Sequence, residues 1–295
     1  LEDLGAGEIV FISRSGPDNY ENLERHAAAQ VLVNATPVGM YPGNGLAAVD
    51  LAAFPNCQGA VDLIYNPART ALLLQAEDLG IPCSGGLSML AAQAAASAAL
   101  FLGESMDISK ISQVEGVLRR QTENLILIGM PGSGKSTVGV LLAKALGRGF
   151  LDTDLVIQQQ ENALLQDILD RRGVTYFLDA EERAVRSVRC DRCVIAPGGS
   201  AVCREGAALH LKELGPVVYL RVPLEELTRR IRNLSTRGIA MGPGQTLTDV
   251  MAVRAPLYER YADLVFDCPG GVSLIETAQQ LQKQLERAGL IALPR

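Results

Sequence analysis

Only two histidines, His26 and His210, occur in 295 residues, so a histidine-based mechanism or metal site has little to draw on. The six cysteines, Cys57, Cys83, Cys190, Cys193, Cys203 and Cys268, are scattered along the chain and frame no small domain. That pattern argues against a disulfide scaffold and for a reducing, cytoplasmic setting. The close pair, Cys190 and Cys193, reads either as a redox or metal half-site or as two ordinary thiols near a strand start; no second pair follows at zinc spacing. A basic excess is missing too: the net charge of -6 argues against a nucleic acid or an anionic membrane as partner. No basic and apolar leader opens the chain, and no low-complexity tract interrupts it. The longest apolar stretch, 87–102, holds Ser88, Gln93 and Ser97 and falls short of the ~20 residues a membrane span needs, so it reads as a core helix. What is present, 48% hydrophobic and 20% charged residues, suits a globular chain with small-molecule partners and length for two domains.

Strand and helix signals alternate in the first third. Residues 8–13, 31–36 and 59–65 are short β-rich runs, 19–30 reads as helical, 39–45 as loop, and 70–80 has helical spacing with Gly80 as its stop. Such alternation implies a parallel sheet. The opening residues, from Leu1, read as the end of a helix, a turn and a strand, so the chain is expected to begin inside a domain. Residues 104–122 turn polar and are expected to be a linker between a unit at 1–103 and a second α/β unit at 123–295. In that second unit, 125–128, 194–199, 216–223 and 264–269 read as strands and 274–288 as a closing helix.

The second unit opens on an apolar run followed by Gly129, Met130, Pro131, Gly132, Ser133, Gly134, Lys135, Ser136 and Thr137, which satisfies G-x-x-x-x-G-K-[ST]. Glycines let successive backbone N–H groups wrap a phosphate, and the helix that follows aims its positive end at the same anion. Lys135 is placed to span the β- and γ-phosphates of ATP, and Ser136 to hold Mg²⁺. Downstream, Asp152 and Asp154 are two residues apart at the end of a strand-like run; on an extended segment both carboxylates share one face. One would serve the metal and the other accept a hydroxyl proton, or the pair is an ordinary acidic loop or helix cap. Gly198 and Gly199 follow a strand, where backbone can approach a ligand closely. The Arg- and Gly-rich segment around Arg237 reads as a flap over the transferring phosphoryl group or as a solvated basic loop, and Arg254 offers a planar fork for a carboxylate.

Residues 123–290 resemble shikimate kinases of the nucleoside-monophosphate-kinase-like P-loop class. The family's D-[ST]-D appears as Asp152, Thr153 and Asp154, its glycine motif as Pro197, Gly198 and Gly199, its lid arginine as Arg237, and its R-x-P-L-Y as Arg254 to Tyr258. The resemblance implies an ATP- and Mg²⁺-dependent phosphorylation of shikimate. Asp152 would assist the metal, Asp154 activate the accepting hydroxyl, Gly198 and Gly199 line the shikimate site, and Arg254 hold its carboxylate. One departure stands out: the family's F-R-x-x-E reads Phe177, Leu178, Asp179, Ala180, Glu181, with Leu178 where a substrate arginine is expected. Arg186, two turns on, is one substitute.

The first unit resembles the C-terminal half of shikimate dehydrogenase at 33–40, 62–73 and 85–101, which implies a partial Rossmann-like domain ahead of the kinase-like one. That likeness suggests Arg14 and Ser15 for the 2'-phosphate of NADP, Asn34, Met40, Gly86 and Met89 near the nicotinamide, and Tyr65 and Gln93 near shikimate; Met40 and Met89 also suit plain core packing. The family's glycine-rich pyrophosphate loop and catalytic Lys and Asp are not among these residues, so dehydrogenase turnover is not expected of the chain as written. Two rivals to the shikimate reading remain: a kinase for another small hydroxylated acid, because of Leu178, and an NTP-hydrolysing switch or motor, for which an aromatic and basic stripe is lacking.

Overall fold

The computed structural model describes residues 5–41, 43–103, 108–231, 238–242 and 244–291. Its first sheet is parallel, in the order β1 (Val31–Asn34), β2 (Gly59–Asp62), β3 (Cys83–Ser84). The helix α1 (Ala71–Asp78) starts at Thr70, whose hydroxyl caps Leu73 N and donates to the buried Asp62 carboxylate at 2.7 Å. The helix α2 (Gly86–Leu102) stops where Gly103 turns left-handed, and α3 (Ile108–Thr122) packs on α2 with Ser88 Oγ donating to Glu115.

Three expectations change here. Residues 8–13 form no ladder, only an isolated bridge from Ser13 to Asn19, because a β-rich run needs a strand beside it and none among the described residues pairs with it. The segment 19–30 holds a single 3₁₀ turn, Leu23–His26, with no apolar face to bury. Within the polar stretch expected to be a linker, 104–122, residues 108–122 form the helix α3. Finally, α2 is not a core helix: Gly86 and Ala91 are its buried residues, and Phe101 is 91% exposed.

The second sheet is also parallel, in the order β5, β6, β4, β7, β8. Its strands are β4 (Leu125–Ile128), β5 (Gly149–Asp152), β6 (Cys193–Ala196), β7 (Val217–Arg221) and β8 (Leu264–Asp267). The helices between them are α4 (Lys135–Leu146), α5 (Thr153–Glu161), α6 (Leu165–Ser187), α7 (Glu205–Leu214), α8 (Leu224–Arg230), α9 (Leu247–Tyr261) and α10 (Leu274–Arg287). The central β4, Leu-Ile-Leu-Ile, is buried on both faces, as a strand covered by helices on both sides must be. Each of its side chains contributes about 1.5–3 kcal/mol by leaving water. A second, smaller apolar cluster of Ile157, Ile168, Phe177, Ala180, Ala184 and Ala240 joins α5 and α6 to the segment before α9. The helix α6 breaks at Gly173, which sets Phe177 to Glu181 on its own straight half.

The two sheets meet through α1 and α7. Glu213, 2% exposed, accepts the Gly45 amide at 3.0 Å, with His210 Nδ1 3.4 Å from its other oxygen. Arg69 Nη1 donates to Asp263 Oδ2 at 3.0 Å, and the same oxygen accepts Val217 N, the first amide of β7, at 2.8 Å. All six cysteines are free thiols; Cys190 and Cys193 lie beside Asn124, and burial pushes Cys190 up to about 12. No helix among the described residues is long and apolar enough to cross a membrane.

Candidate active site

The carboxyl ends of β4, β5 and β6 open onto a cleft of about 450 Å³. That is where an open parallel sheet presents its loops and helix N-termini to a ligand. The loop 129–134 runs from β4 into α4, whose first turn is capped by no side chain, so its amides remain turned to the cleft. Gly134 has φ 94 and a Cβ there would stand 2.9 Å from Leu274 Cδ2, which accounts for the glycine. Lys135 Nζ donates to the carbonyls of Gly129 at 2.8 Å and Met130 at 3.1 Å, and burial lowers its pKa to about 8.

Asp154 lines the cleft and Asp152 stands behind its wall, so the two are not neighbours on one extended face. Asp152 ends β5 and caps α5 by accepting Asp154 N at 3.0 Å, while Asp154 already belongs to the first helical turn. The capping side chain also meets the cleft wall: Asp152 Oδ2 accepts from Ser136 Oγ, which lines the cleft, at 2.6 Å. Desolvation in the cleft, reinforced by the charge of Asp152 and opposed by Lys135, pushes Asp154 up to about 6.

Gly198 lies where no side chain fits, since a Cβ would stand 2.0 Å from Glu181 Oε1 and 2.7 Å from Asp154 Oδ1. Its amide donates to the buried Thr153 hydroxyl at 3.2 Å. Gly199 is pressed against Pro131 and its carbonyl accepts the Tyr258 hydroxyl. Tyr258, wholly buried and stacked on Tyr219 with centroids 5.0 Å apart, thus ties α9 to the glycine pair. Arg254, 5% exposed, reaches the same cleft from α9; Nη2 donates to Ala240 O, and Nη1 has no partner among the described residues.

The expected lid arginine, Arg237, lies outside the described residues. Arg186 does not replace the missing substrate arginine: its guanidinium is next to Gly45 and Gly206, away from the cleft lining. Leu178 packs half-buried on the second apolar cluster. Three groups escaped the sequence reading. Glu181, 1% exposed, lines the cleft; Arg230 lies over the loop and donates to Ser133 O at 3.3 Å; Thr153 and Tyr258 fix the glycines. The F-R-x-x-E pattern and the basic run at 229–232 were their signals, but burial and direction are invisible in one sequence.

In the first unit, Arg14 and Ser15 sit in the loop before Asn19. Asn34 is buried and structural, donating to Val38 O and Asp62 and accepting from Thr36. Gly86 is pressed against Leu63 O at the start of α2, the helix that also carries Gln93. Met40, Met89 and Tyr65 are 44%, 39% and 54% exposed, so core packing does not account for the two methionines. Among the described residues no group of three or more His, Cys, Asp or Glu is placed to hold a metal ion.

The model of the shikimate kinase family matches residues 131–286. A shikimate kinase of Paracidovorax citrulli is 38% identical over 169 residues, 56% of this chain and 92% of that protein. The solved shikimate kinase of Acinetobacter baumannii in complex with shikimate covers 59% of this chain and 98% of its own at 28% identity and a TM-score of 0.54. A chorismate mutase/shikimate 5-dehydrogenase fusion protein from Clostridium acetobutylicum covers 40% of this chain and 47% of its own at 32% identity, with a TM-score of 0.36.

Proposed function

The chain belongs to the shikimate kinase family, and from that premise we propose that this cleft transfers the γ-phosphoryl group of ATP to a hydroxyl of shikimate. The observation that carries the proposal is the convergence of a P-loop, Asp154 and the half-free guanidinium of Arg254 in one cavity. Phosphoryl transfer needs little covalent chemistry from a protein; it needs positioning and cancellation of charge. The uncapped amides of α4 and Lys135 suit the phosphates, and Lys135, charged at neutral pH, offsets the negative charge that develops on the moving group. Asp154, held to about 6, is ionised at pH 7 yet basic enough to take the acceptor's proton as its oxygen attacks. Arg254 Nη1 would hold the acceptor's carboxylate, so the hydroxyl to be phosphorylated faces Asp154.

Ser136 and Asp152 fit Mg²⁺: a hydroxyl and a carboxylate 2.6 Å apart give the hard oxygen set that this ion takes together with phosphate oxygens and water. When bound, the ion would supply neutralisation of the phosphate charge. Arg230, above the loop, is placed to flank the nucleotide, and Arg237 is proposed to reach the transferring group from the segment before Gly238. The proposed domain division remains a dehydrogenase-like unit at 1–103 ahead of the kinase unit at 123–295, with NADP reserved for a complete dehydrogenase domain.

The test is ADP formation by the full chain with shikimate, with a panel of other hydroxylated acids, and with no acceptor. Shikimate-dependent turnover is expected. Acceptor-free hydrolysis alone would favour the switch or motor, and preference for another acid would favour the second reading, which Leu178 motivates.

A further inference from the structure

Glu181 stands one helical turn after Leu178 on α6, where the F-R-x-x-E pattern would have set an arginine beside it. Its side chain is 1% exposed and faces the Ser200 hydroxyl, and neither carboxyl oxygen has a hydrogen-bond partner of good geometry among the described residues. An ionised carboxylate is disfavoured there, and the usual escape is to take up a proton. The ionisable groups that face it are Asp154 from α5, Lys135 from α4, Arg254 and Tyr258 from α9, and Cys203. Arg254 is orphaned in the same cleft, with Nη1 buried and unpartnered. Two unpartnered groups in one cavity, one a guanidinium and one a carboxyl, point to a ligand that satisfies both.

We propose that Glu181, carrying a proton, is the second anchor of the acceptor's carboxylate beside Arg254, a positioning and specificity residue that stands in for the absent arginine. Its O–H donates to one carboxylate oxygen while Arg254 Nη1 donates to the other. The inference rests on the acceptor assignment above and deepens it. Burial, opposed by the Ser200 hydroxyl, reinforced by the charge of Asp154 and opposed again by Arg254 and Lys135, holds Glu181 near 7, so the anchor is present below neutrality and is lost as pH rises. The substrate class this favours is a monocarboxylate without a second acidic group near that end.

The test is the Kd of shikimate for the full chain, measured by calorimetry from pH 6 to pH 8.5 in the presence of a non-hydrolysable ATP analogue. Shikimate stays ionised throughout, so the titration read is the protein's. In the wild type Kd is expected to rise about tenfold per pH unit above 7, as the competent fraction falls. E181Q keeps a neutral donor at every pH and is expected to flatten that rise; because Asp154 titrates in both proteins, the difference between the two profiles is the quantity read. E181L removes the donor and is expected to weaken binding at pH 6 on the order of tenfold, the loss of one hydrogen bond to a charged group. A flat wild-type profile, which needs no variant, or parallel wild-type and E181Q profiles, overturns the assignment of Glu181 and leaves the kinase reading standing. No shikimate binding at any pH, with the ATP analogue still bound, overturns the acceptor assignment and this inference with it.

Discussion

Restoring an arginine at position 178 should tighten shikimate binding, and the structure sets the size and pH dependence of the gain. In Leu178→Arg the new guanidinium starts three residues before Glu181 on the straight half of α6, one helical turn from a carboxyl that lines the cleft, and its long stem lets it extend past Leu178's own position toward that carboxyl and the acceptor. One hydrogen bond to a charged group contributes about 1.5–3 kcal/mol, or about 10- to 150-fold in affinity. The cost is small, because the aliphatic stem of arginine covers the apolar cluster of Phe177, Ala180 and Ala240 that Leu178 now covers. A net packing loss of about 1 kcal/mol would lower Tm by only a few degrees. The arginine also pairs with Glu181 and ionises it, so the gain should be largest at pH 8, where the wild type has lost its neutral anchor, and smallest at pH 6. The assay is KM for shikimate by coupled ADP detection at both pH values, with KM for ATP as the control. A KM for shikimate that is unchanged or higher at pH 8, with Tm and KM for ATP preserved, refutes the reasoning.

The other predictions concern the walls of the same cleft. Asp154→Asn should lower kcat by about 10²- to 10⁴-fold and leave ATP affinity unchanged; near-normal turnover would remove Asp154 as the base. Gly198→Ala places a Cβ 2.0 Å from Glu181 Oε1, so denaturant melts should show about 1–3 kcal/mol of destabilisation and KM for shikimate should rise; a neutral result in both would mean Glu181 can retreat. Glu181, with its folded pKa raised to about 7, makes the folded state bind more protons than the unfolded one, so its contribution to stability falls as pH rises from about 4.5 to about 7. The Tm of Glu181→Gln should therefore gain on the wild type across that window and level off above it, and a gap that ignores pH would contradict the raised pKa.

What could be read from sequence divides along a physical line. The P-loop was legible because its chemistry is backbone chemistry: glycines at fixed positions between a buried strand and a helix leave few other structures for Gly129 to Ser136. Asp152 and Asp154 were legible as a pair, yet the reason was mistaken, since periodicity does not reveal that the strand ends and the helix begins between them. Glu181 and Tyr258 were visible as letters in patterns, but their burial and their partners come from α6, α9 and the glycine pair meeting in space. The first unit was least legible. A β-rich run such as 8–13 becomes a strand only if a neighbour supplies its ladder, and sequence pattern cannot supply that neighbour.

The contact between the two sheets bears on how far the units are separable. The amide of Gly45 satisfies a carboxylate that the kinase unit buries, and Arg69 grips the same oxygen that fixes the first amide of β7. Severed from its companion, the kinase unit would keep Glu213 in place and lose the donor that makes its burial tolerable. The two units proposed on either side of residues 104–122 are therefore tied by these contacts as well as by the chain itself.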